Sequence, residues 1–234
     1  YDAARILAGT SFVPKEGEFE IPAGVSLRQV MAIIHAGRSH QRRLTIIEGR
    51  TSAEIRRIIA DNDHFTGDIT LDTEEGSLLP ETYFFTHGTS RDAMLSRMQE
   101  KLDMTLAEAW ADRAPDLPYR TPGEALILAS IIELETADSE DRREVAGVFV
   151  NRLRRGMRLQ SDPTVLYGVD GGDGREIRRS DLKRKTDWNT YVIKGLPKTP
   201  ICNPSQESID AALRPAVTKN LYFVSDGKGG LRFA

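Results

Sequence analysis

The chain has 234 residues, of which 39% are hydrophobic and 29% charged, so it is long enough to bury a core and too apolar to be disordered. Its 32 Lys and Arg and 35 Asp and Glu leave a formal charge of -3, which does not indicate nucleic acid or an anionic membrane surface as a partner. Cys202 is the single cysteine, which excludes an intrachain disulfide and a cysteine-based zinc site.

No apolar run approaches the roughly 18 to 20 residues that a membrane-spanning helix needs, and residues 1–5 do not resemble a signal peptide. The sequence begins without methionine and stops within a predicted strand over residues 231–233. We therefore expect a fragment of a longer protein, whose membrane anchor, if it has one, lies outside this sequence.

The first residues predict a small β-α-β unit. Residues 18–21 are predicted as a short strand, and residues 44–47 as a second one. Between them, Ser26 and Gln29 form the capping box of a helix that ends at Gly37. The helix is too short to be stable alone, so we expect it to pack on the strand pair.

The middle of the chain predicts two helices separated by an irregular segment. Thr51 and Glu54 form a second capping box. Residues 67–82 are polar and rich in turn-forming residues, and an aromatic run follows them. Apolar residues then recur at helical spacing over residues 91–111.

The second half is the most regular part of the sequence. Thr121, Pro122 and Glu124 form a helix start, and the helix is predicted to reach residue 136. A further helix is predicted over residues 140–155, and a β-hairpin over residues 221–233. These elements predict an α+β fold.

Two glutamates interrupt the apolar helix that begins at Pro122. Glu133 and Glu135 point about 200° apart on a helix, so they cannot both face one cleft. Glu135 shares a stripe with Leu128 and Ile131. A carboxyl against such a surface is desolvated, which raises its pKa and suits a general acid. The alternative is that either glutamate forms an ion pair with a nearby arginine.

Two polar segments, residues 157–168 and 188–204, contain the amide, hydroxyl and aromatic groups that recognise sugars. The alternative for the first is a turn formed by Asp162 and Pro163, and for the second an ordered surface loop. The histidines lack metal-binding spacing and the glycine-rich segments lack the spacing of phosphate-binding loops. The sequence therefore predicts no metal site and no cofactor.

Several short motifs occur in an order that resembles one family. They are 129–136 (ASIIELET), 145–153 (VAGVFVNRL), 156–165 (GMRLQSDPTV), 189–191 (NTY), 195–197 (GLP), 203–204 (NP) and 221–224 (LYFV). Together they resemble the MltG (YceG-like) endolytic murein transglycosylases. Residues 17–24 resemble the LysM-like subdomain of that family, so the resemblance covers nearly the whole chain.

The resemblance implies a LysM-like subdomain over residues 1–44 and a mixed helical and β catalytic domain over residues 45–234. Within the latter, residues 45–120 are the more variable part and residues 121–234 the motif-rich core. The family has a Pro-Gly pair where this sequence has Lys198 and Thr199, which leaves the shape of that loop open.

The resemblance also implies a catalytic residue. The family's acid is the glutamate before a small hydroxyl residue, which here is Glu135 before Thr136. Glu133 remains a weaker candidate or a supporting residue. The residues expected to bind the glycan are Asn151, Arg152, Gln160, Ser161, Asp162, Tyr167, Asn189, Tyr191 and Asn203.

The implied activity is cleavage of MurNAc-β-1,4-GlcNAc bonds in nascent peptidoglycan strands to give 1,6-anhydroMurNAc ends, without a cofactor, which limits strand length. The family further implies a single membrane helix upstream of Tyr1, a catalytic domain outside the cytoplasmic membrane, and peptidoglycan synthases as partners.

Two other functions are compatible with parts of the sequence. A non-catalytic peptidoglycan-binding module would use the LysM-like unit and the groove without chemistry. A pyridoxal-phosphate lyase is the other, since some family members have been labelled aminodeoxychorismate lyase. That chemistry needs a Schiff-base lysine and a phosphate-binding loop, and the sequence places neither convincingly.

Overall fold

The computed structural model describes residues 17–136, 138–172, 175–227 and 230–234. The helices within them are α1 (Leu27–Ala36), α2 (Ser52–Ala60), α3 (Arg91–Ala111), α4 (Pro122–Glu135), α5 (Ser139–Arg154), α6 (Asp162–Asp170) and α7 (Gln206–Leu213), with a short 3-10 helix at Asp181–Lys183. The strands are β1 (Arg42–Thr45), β2 (Thr82–Phe85), β3 (Phe223–Ser225) and β4 (Leu231–Phe233). The predicted α+β class is confirmed. None of the helices in these ranges is long and apolar enough to cross a membrane.

The predicted β-α-β unit at the start of the chain forms only in part. Helix α1 begins with the predicted capping box at Ser26 and ends at Gly37, which is left-handed with φ 65°. The strand predicted over residues 18–21 is wrong, because that segment carries no strand. This segment contacts the residues that follow α1. The backbone N–H of His40 donates to the carbonyl of Glu18 (2.6 Å), and the Glu18 carboxylate forms an ion pair with Arg42.

Strand β1 pairs antiparallel with β2, with Arg42 opposite Phe85. The aromatic run that the sequence leaves without an assigned structure is therefore a strand, whose Tyr83 and Phe85 point into the core while Phe84 is exposed. Each strand has only four residues, so its pattern of apolar and polar residues is too short to predict which strand it pairs with. The pair crosses the predicted boundary at residue 44, and the domain division remains a prediction.

The long helix α3 joins two hydrophobic clusters. Met94 and Met98 pack with the β1–β2 sheet and α2, whereas Leu102 and Leu106 pack with α4, α5 and α7. Its 21 residues span roughly 30 Å. The sheet and the helical core are therefore connected by one continuous helix.

Helix α4 is the centre of the larger cluster. Thr121 caps it and Pro122 occupies its first turn, as predicted. Leu128, Ala129 and Ile131 are fully buried, since other helices cover α4 on several sides. This packing fixes the carboxyl end of α4, where Glu133 and Glu135 lie.

The carboxyl-terminal hairpin is present as predicted, with β3 antiparallel to β4. The segment that leads into it passes over α5 at Gly147. A Cβ atom on Gly147 would lie 2.7 Å from the carbonyl oxygen of Ala216 and 2.8 Å from Cγ2 of Thr218. The absence of a side chain therefore lets this segment approach the helix.

Replacing Gly147 with alanine tests this close approach. Alanine in place of glycine inside a helix ordinarily stabilises it by about 1 kcal/mol. Here the overlap with Ala216 should instead lower the free energy of unfolding by about 1 to 3 kcal/mol, measured by urea denaturation. Gly123→Ala is the control, since the nearest atom to its added Cβ is 4.0 Å away. A Gly147→Ala protein as stable as the wild type would contradict the close packing.

Candidate functional site

Glu135 is the last residue of α4, and it faces the start of α6. The structure corrects one sequence interpretation here: the turn predicted at Asp162 and Pro163 is instead the beginning of a nine-residue helix that Gly171 ends with φ 76°. An acidic residue followed by proline is also a common helix start. Proline has no backbone N–H, and the N–H groups of the first turn have no partner within the helix. The helix presents Ser161 and Asp162 to the end of α4.

The entry to α6 is held by a buried threonine pair. Thr190 Oγ1 accepts a hydrogen bond from the backbone of Ser161 (2.9 Å) and lies 2.8 Å from Thr164 Oγ1. The backbone N–H of Gln160 donates a hydrogen bond to the backbone carbonyl of Thr190 at 3.2 Å. Gln160 itself is left-handed with φ 52°, an uncommon conformation for a residue other than glycine. This arrangement fixes the direction in which Ser161 points.

The surroundings of Glu135 favour its protonated form. Its partial burial raises the pKa of the carboxyl, and the negative charge of Asp162 raises it further. The Ser161 hydroxyl and the Arg152 guanidinium act in the opposite direction and lower it. The hydroxyl of Ser161 is buried and, within the described part of the chain, makes no hydrogen bond of ordinary geometry.

Asp162 is oriented by Tyr191. The phenol of Tyr191 donates a hydrogen bond of 2.7 Å to Asp162 Oδ1. Burial, the bond to Asp162 and nearby negative charge all raise the pKa of Tyr191, so the hydroxyl remains a donor. Two predicted residues from distant motifs therefore meet beside Glu135.

Arg152 connects the site to the terminal hairpin. Its side chain is buried and donates to the carbonyl oxygens of Leu221 (2.7 Å) and Leu159. The guanidinium lies 5.1 Å from the centre of the Tyr222 ring, within cation–π distance. Its charge still reaches Glu135, so Arg152 tunes the carboxyl while holding the loop before α6.

Glu133 is engaged elsewhere, as the opposite orientation of the two glutamates predicts. One carboxylate oxygen accepts hydrogen bonds from the backbone (2.8 Å) and hydroxyl (2.5 Å) of Ser205, the cap of α7. The other accepts from Arg142 at 3.3 Å. A carboxylate at a helix amino terminus is favoured by the helix dipole. Glu133 thus holds α7 against α4.

The three candidate asparagines hold loops in place. Asn151 donates to two carbonyls of the segment before β3, and Asn189 to three carbonyls of residues 181–184. Asn203 donates to the carbonyl of Arg50 at 3.0 Å. Their amides are used by the backbone, so any role in glycan binding is through the loops they fix.

The two remaining candidates are Gln160 and Tyr167. Gln160 has an exposed side chain. The Tyr167 ring packs edge-on against Trp188 with 5.6 Å between centres, and its hydroxyl donates to Glu75 at 3.3 Å. The site therefore gathers Glu135, Ser161, Asp162, Arg152 and Tyr191 closely, with Tyr167 one turn further along α6.

Three residues of this region were not predicted. Thr164 and Thr190 lie inside the quoted motifs, so their membership of those motifs was a usable indication. Glu75 lies in the irregular segment before β2, and nothing in its local sequence marks it. It accepts hydrogen bonds from residues of three distant segments.

Comparisons with known proteins agree on one family. The YceG-like family model matches residues 3–234. A crystal structure of a YceG-like protein from Listeria monocytogenes matches with a TM-score of 0.67 and 27% identity, covering 92% of this chain and 80% of that one.

Two curated relatives are named endolytic murein transglycosylase. The protein from Streptococcus pneumoniae is 34% identical over 158 residues, which are 65% of this chain and 28% of the relative. The protein from Bacillus subtilis is 35% identical over 160 residues, which are 68% of this chain and 44% of the relative. This chain therefore spans less than half the length of either relative.

Glu133 and an exposed glutamate should differ sharply in their effect on stability. Glu133→Ala leaves the buried Arg142 without its partner and the cap of α7 unsatisfied, so the free energy of unfolding should fall by about 3 kcal/mol. The control Glu108→Ala, on the exposed face of α3, should change it by less than about 0.5 kcal/mol. Urea denaturation measures both. Equal stability of the two variants would show that the Glu133 network contributes little.

Proposed function

Because this chain belongs to the YceG-like family, we propose that it is an endolytic lytic transglycosylase that cleaves MurNAc-β-1,4-GlcNAc bonds in peptidoglycan strands. The observation that carries the proposal is the Glu135 carboxyl, whose pKa is raised beside an arginine and a second carboxylate. A carboxyl that retains its proton near neutral pH is what a general acid requires. The names of the curated relatives support the substrate class.

In the first step, the protonated carboxyl of Glu135 donates its proton to the glycosidic oxygen. The bond from C1 of MurNAc to that oxygen breaks, and GlcNAc leaves with a free hydroxyl. Positive charge develops on the MurNAc ring in an oxocarbenium-like state. In this proposal, the Asp162 carboxylate stabilises that positive charge, and Tyr191 holds the carboxylate in place.

In the second step, the Glu135 carboxylate takes the proton of the MurNAc C6 hydroxyl. The oxygen of that hydroxyl bonds to C1 and closes the 1,6-anhydro ring. No water is consumed, and the proton from the C6 hydroxyl returns Glu135 to its protonated form. Arg152 assists between the two steps, because its charge favours the carboxylate form of Glu135.

The proposed ligand contacts are made by Ser161 and Gln160. The Ser161 hydroxyl is buried next to Glu135 and points to a sugar hydroxyl in this proposal. Gln160 is exposed at the rim. Asn151, Asn189 and Asn203 then act by holding the surrounding loops.

We also propose the setting in which this reaction occurs. The substrate is the nascent strand outside the cytoplasmic membrane, where cleavage limits strand length. Peptidoglycan synthases are the proposed neighbours, and a single membrane helix preceding Tyr1 is the proposed anchor.

Digestion of purified sacculi tests the activity and the acid together. The wild-type chain should release internal fragments with anhydro ends, identified by mass spectrometry. Glu135→Gln keeps the shape and removes the proton, so its rate should fall at least about 100-fold. The control Glu133→Gln loses the ion pair with Arg142 but can still accept the Ser205 hydrogen bonds, so its rate per folded molecule should stay near that of the wild type.

Three outcomes contradict this assignment. Products with reducing ends would show a hydrolase, and anhydro products from Glu135→Gln at the wild-type rate would exclude Glu135 as the acid. Strand binding without any product would favour a binding module.

The pH profile tests the electrostatics of the acid. Since Glu135 acts protonated, the cleavage rate should fall as pH rises through its raised pKa. Asp162→Asn removes a like charge and keeps an acceptor for Tyr191, so the pKa of Glu135 should fall and the basic limb should move to lower pH. The exposed Asp103→Asn is the control and should leave the limb in place. A shift to higher pH would contradict the influence of Asp162.

A further inference from the structure

A small cavity lies beside the ends of α4 and α6. It lies between the start of α2, where Thr51 and Glu54 line it, and the facing ends of α4 and α6, where Leu134, Pro163, Leu166 and Tyr167 line it. Leu134 directly precedes Glu135 in the chain, and Pro163 directly follows Asp162. Glu135 and Asp162 do not line the cavity themselves, and Tyr167 is the residue that the cavity and the candidate site share.

The size and lining of the cavity fit one sugar ring. Its volume is about 220 Å³, smaller than the roughly 300 to 1,000 Å³ of pockets that enclose drug-sized ligands. Leu134, Leu166 and the Tyr167 ring offer an apolar wall for the face of a sugar. Thr51 and Glu54 offer oxygen atoms for its hydroxyl groups.

One carboxylate is bonded to both sides of this cavity. Glu75 Oε1 accepts a hydrogen bond from the backbone of Ser52 (2.9 Å), the first residue of α2. Glu75 Oε2 accepts from the hydroxyl of Tyr167 in α6 (3.3 Å). Glu75 thus contacts both walls through one side chain, beside the bonds that Asn203 makes to the start of α2.

The turn that carries Glu75 is itself immobilised. Asn203 donates to Glu75 Oε1 at 3.4 Å and to the carbonyl of Arg50 at 3.0 Å. A Cβ atom on Gly76 would lie 2.5 Å from Pro200, so the turn is in close contact with the 200–203 segment. The hydrogen bonds to Glu75 therefore hold α2 in a fixed position relative to residues 167 and 203 of the motif-rich core.

From these contacts we propose that the cavity binds one sugar of the glycan strand next to the cleaved bond, and that Glu75 is the positioning residue that holds its walls apart. This inference rests on the proposed function, because the ligand is the strand that Glu135 cleaves. Glu75 acts through Tyr167 and Ser52 and does not touch the reacting atoms.

The bonding pattern indicates that the shape of Glu75 matters and its charge does not. Burial raises the pKa of Tyr167 to about 12, so its phenol keeps its proton and remains a donor at neutral pH. Burial also raises the pKa of Glu75. A glutamine at position 75 can accept the backbone bonds with its oxygen and donate its amide to the Tyr167 oxygen. Glu75→Gln should therefore preserve the walls, whereas Glu75→Ala should not.

Steady-state cleavage of peptide-free glycan strands tests the inference. Tyr167→Phe and Glu75→Ala should raise KM about three- to tenfold, the effect of one lost hydrogen bond, and change kcat less than about threefold. Glu75→Gln should keep both constants near the wild type. The control is Tyr83→Phe, which removes a buried tyrosine hydroxyl bonded to the Leu79 carbonyl (2.7 Å) outside the cavity.

Three results would overturn the proposal. Unchanged KM in both Tyr167→Phe and Glu75→Ala would show that the cavity holds no sugar. A Glu75→Gln protein as inactive as Glu135→Gln would make Glu75 a proton donor. Loss of kcat in proportion to the folded fraction, with KM constant, would reduce Glu75 to a structural role.

The failure of the proposed function is distinguishable from these. If the wild type releases no anhydro product, strand binding to Glu135→Gln and to Glu135→Gln with Tyr167→Phe still tests the cavity by calorimetry. Weaker binding of the double variant supports it, and equal binding contradicts it.

Discussion

Removing two neighbouring carboxyls from water at the end of one apolar helix is the constraint on which this structure depends. Burial of a carboxylate is unfavourable unless hydrogen bonds or opposite charge compensate it. Glu133 is compensated fully, by the cap of α7 and by Arg142. Glu135 is compensated partly, and its pKa rises instead. One glutamate thereby holds the core together, while the surroundings of the other favour its protonated form.

The fold was predictable where local chemistry decides it. The capping residues Ser26, Thr51 and Thr121 begin helices as the sequence indicates, because the relevant hydrogen bonds span three residues. The β1–β2 pair was not predictable, because Arg42 meets Phe85 through a non-local contact that a four-residue pattern does not encode.

The site shows the same division. The stripe on α4 separates Glu133 from Glu135 by helical geometry alone, and the resemblance adds the residues around α6. Composition could not distinguish an amide that faces a ligand from one that binds the backbone, as Asn189 does. Glu75 was missed since its partners come from segments far apart in the sequence, and only the folded chain brings them together.

Helix α3 has a consequence for how this molecule moves. Its first half lies in the cluster under the sheet and its second half in the cluster around α4. A helix that is packed at both ends does not let either cluster open alone, so the two should exchange their amide hydrogens as one cooperative unit. The two walls of the cavity, α2 and α6, therefore belong to clusters that should unfold together. Local unfolding near the β1–β2 sheet would also displace the cavity wall that α2 forms.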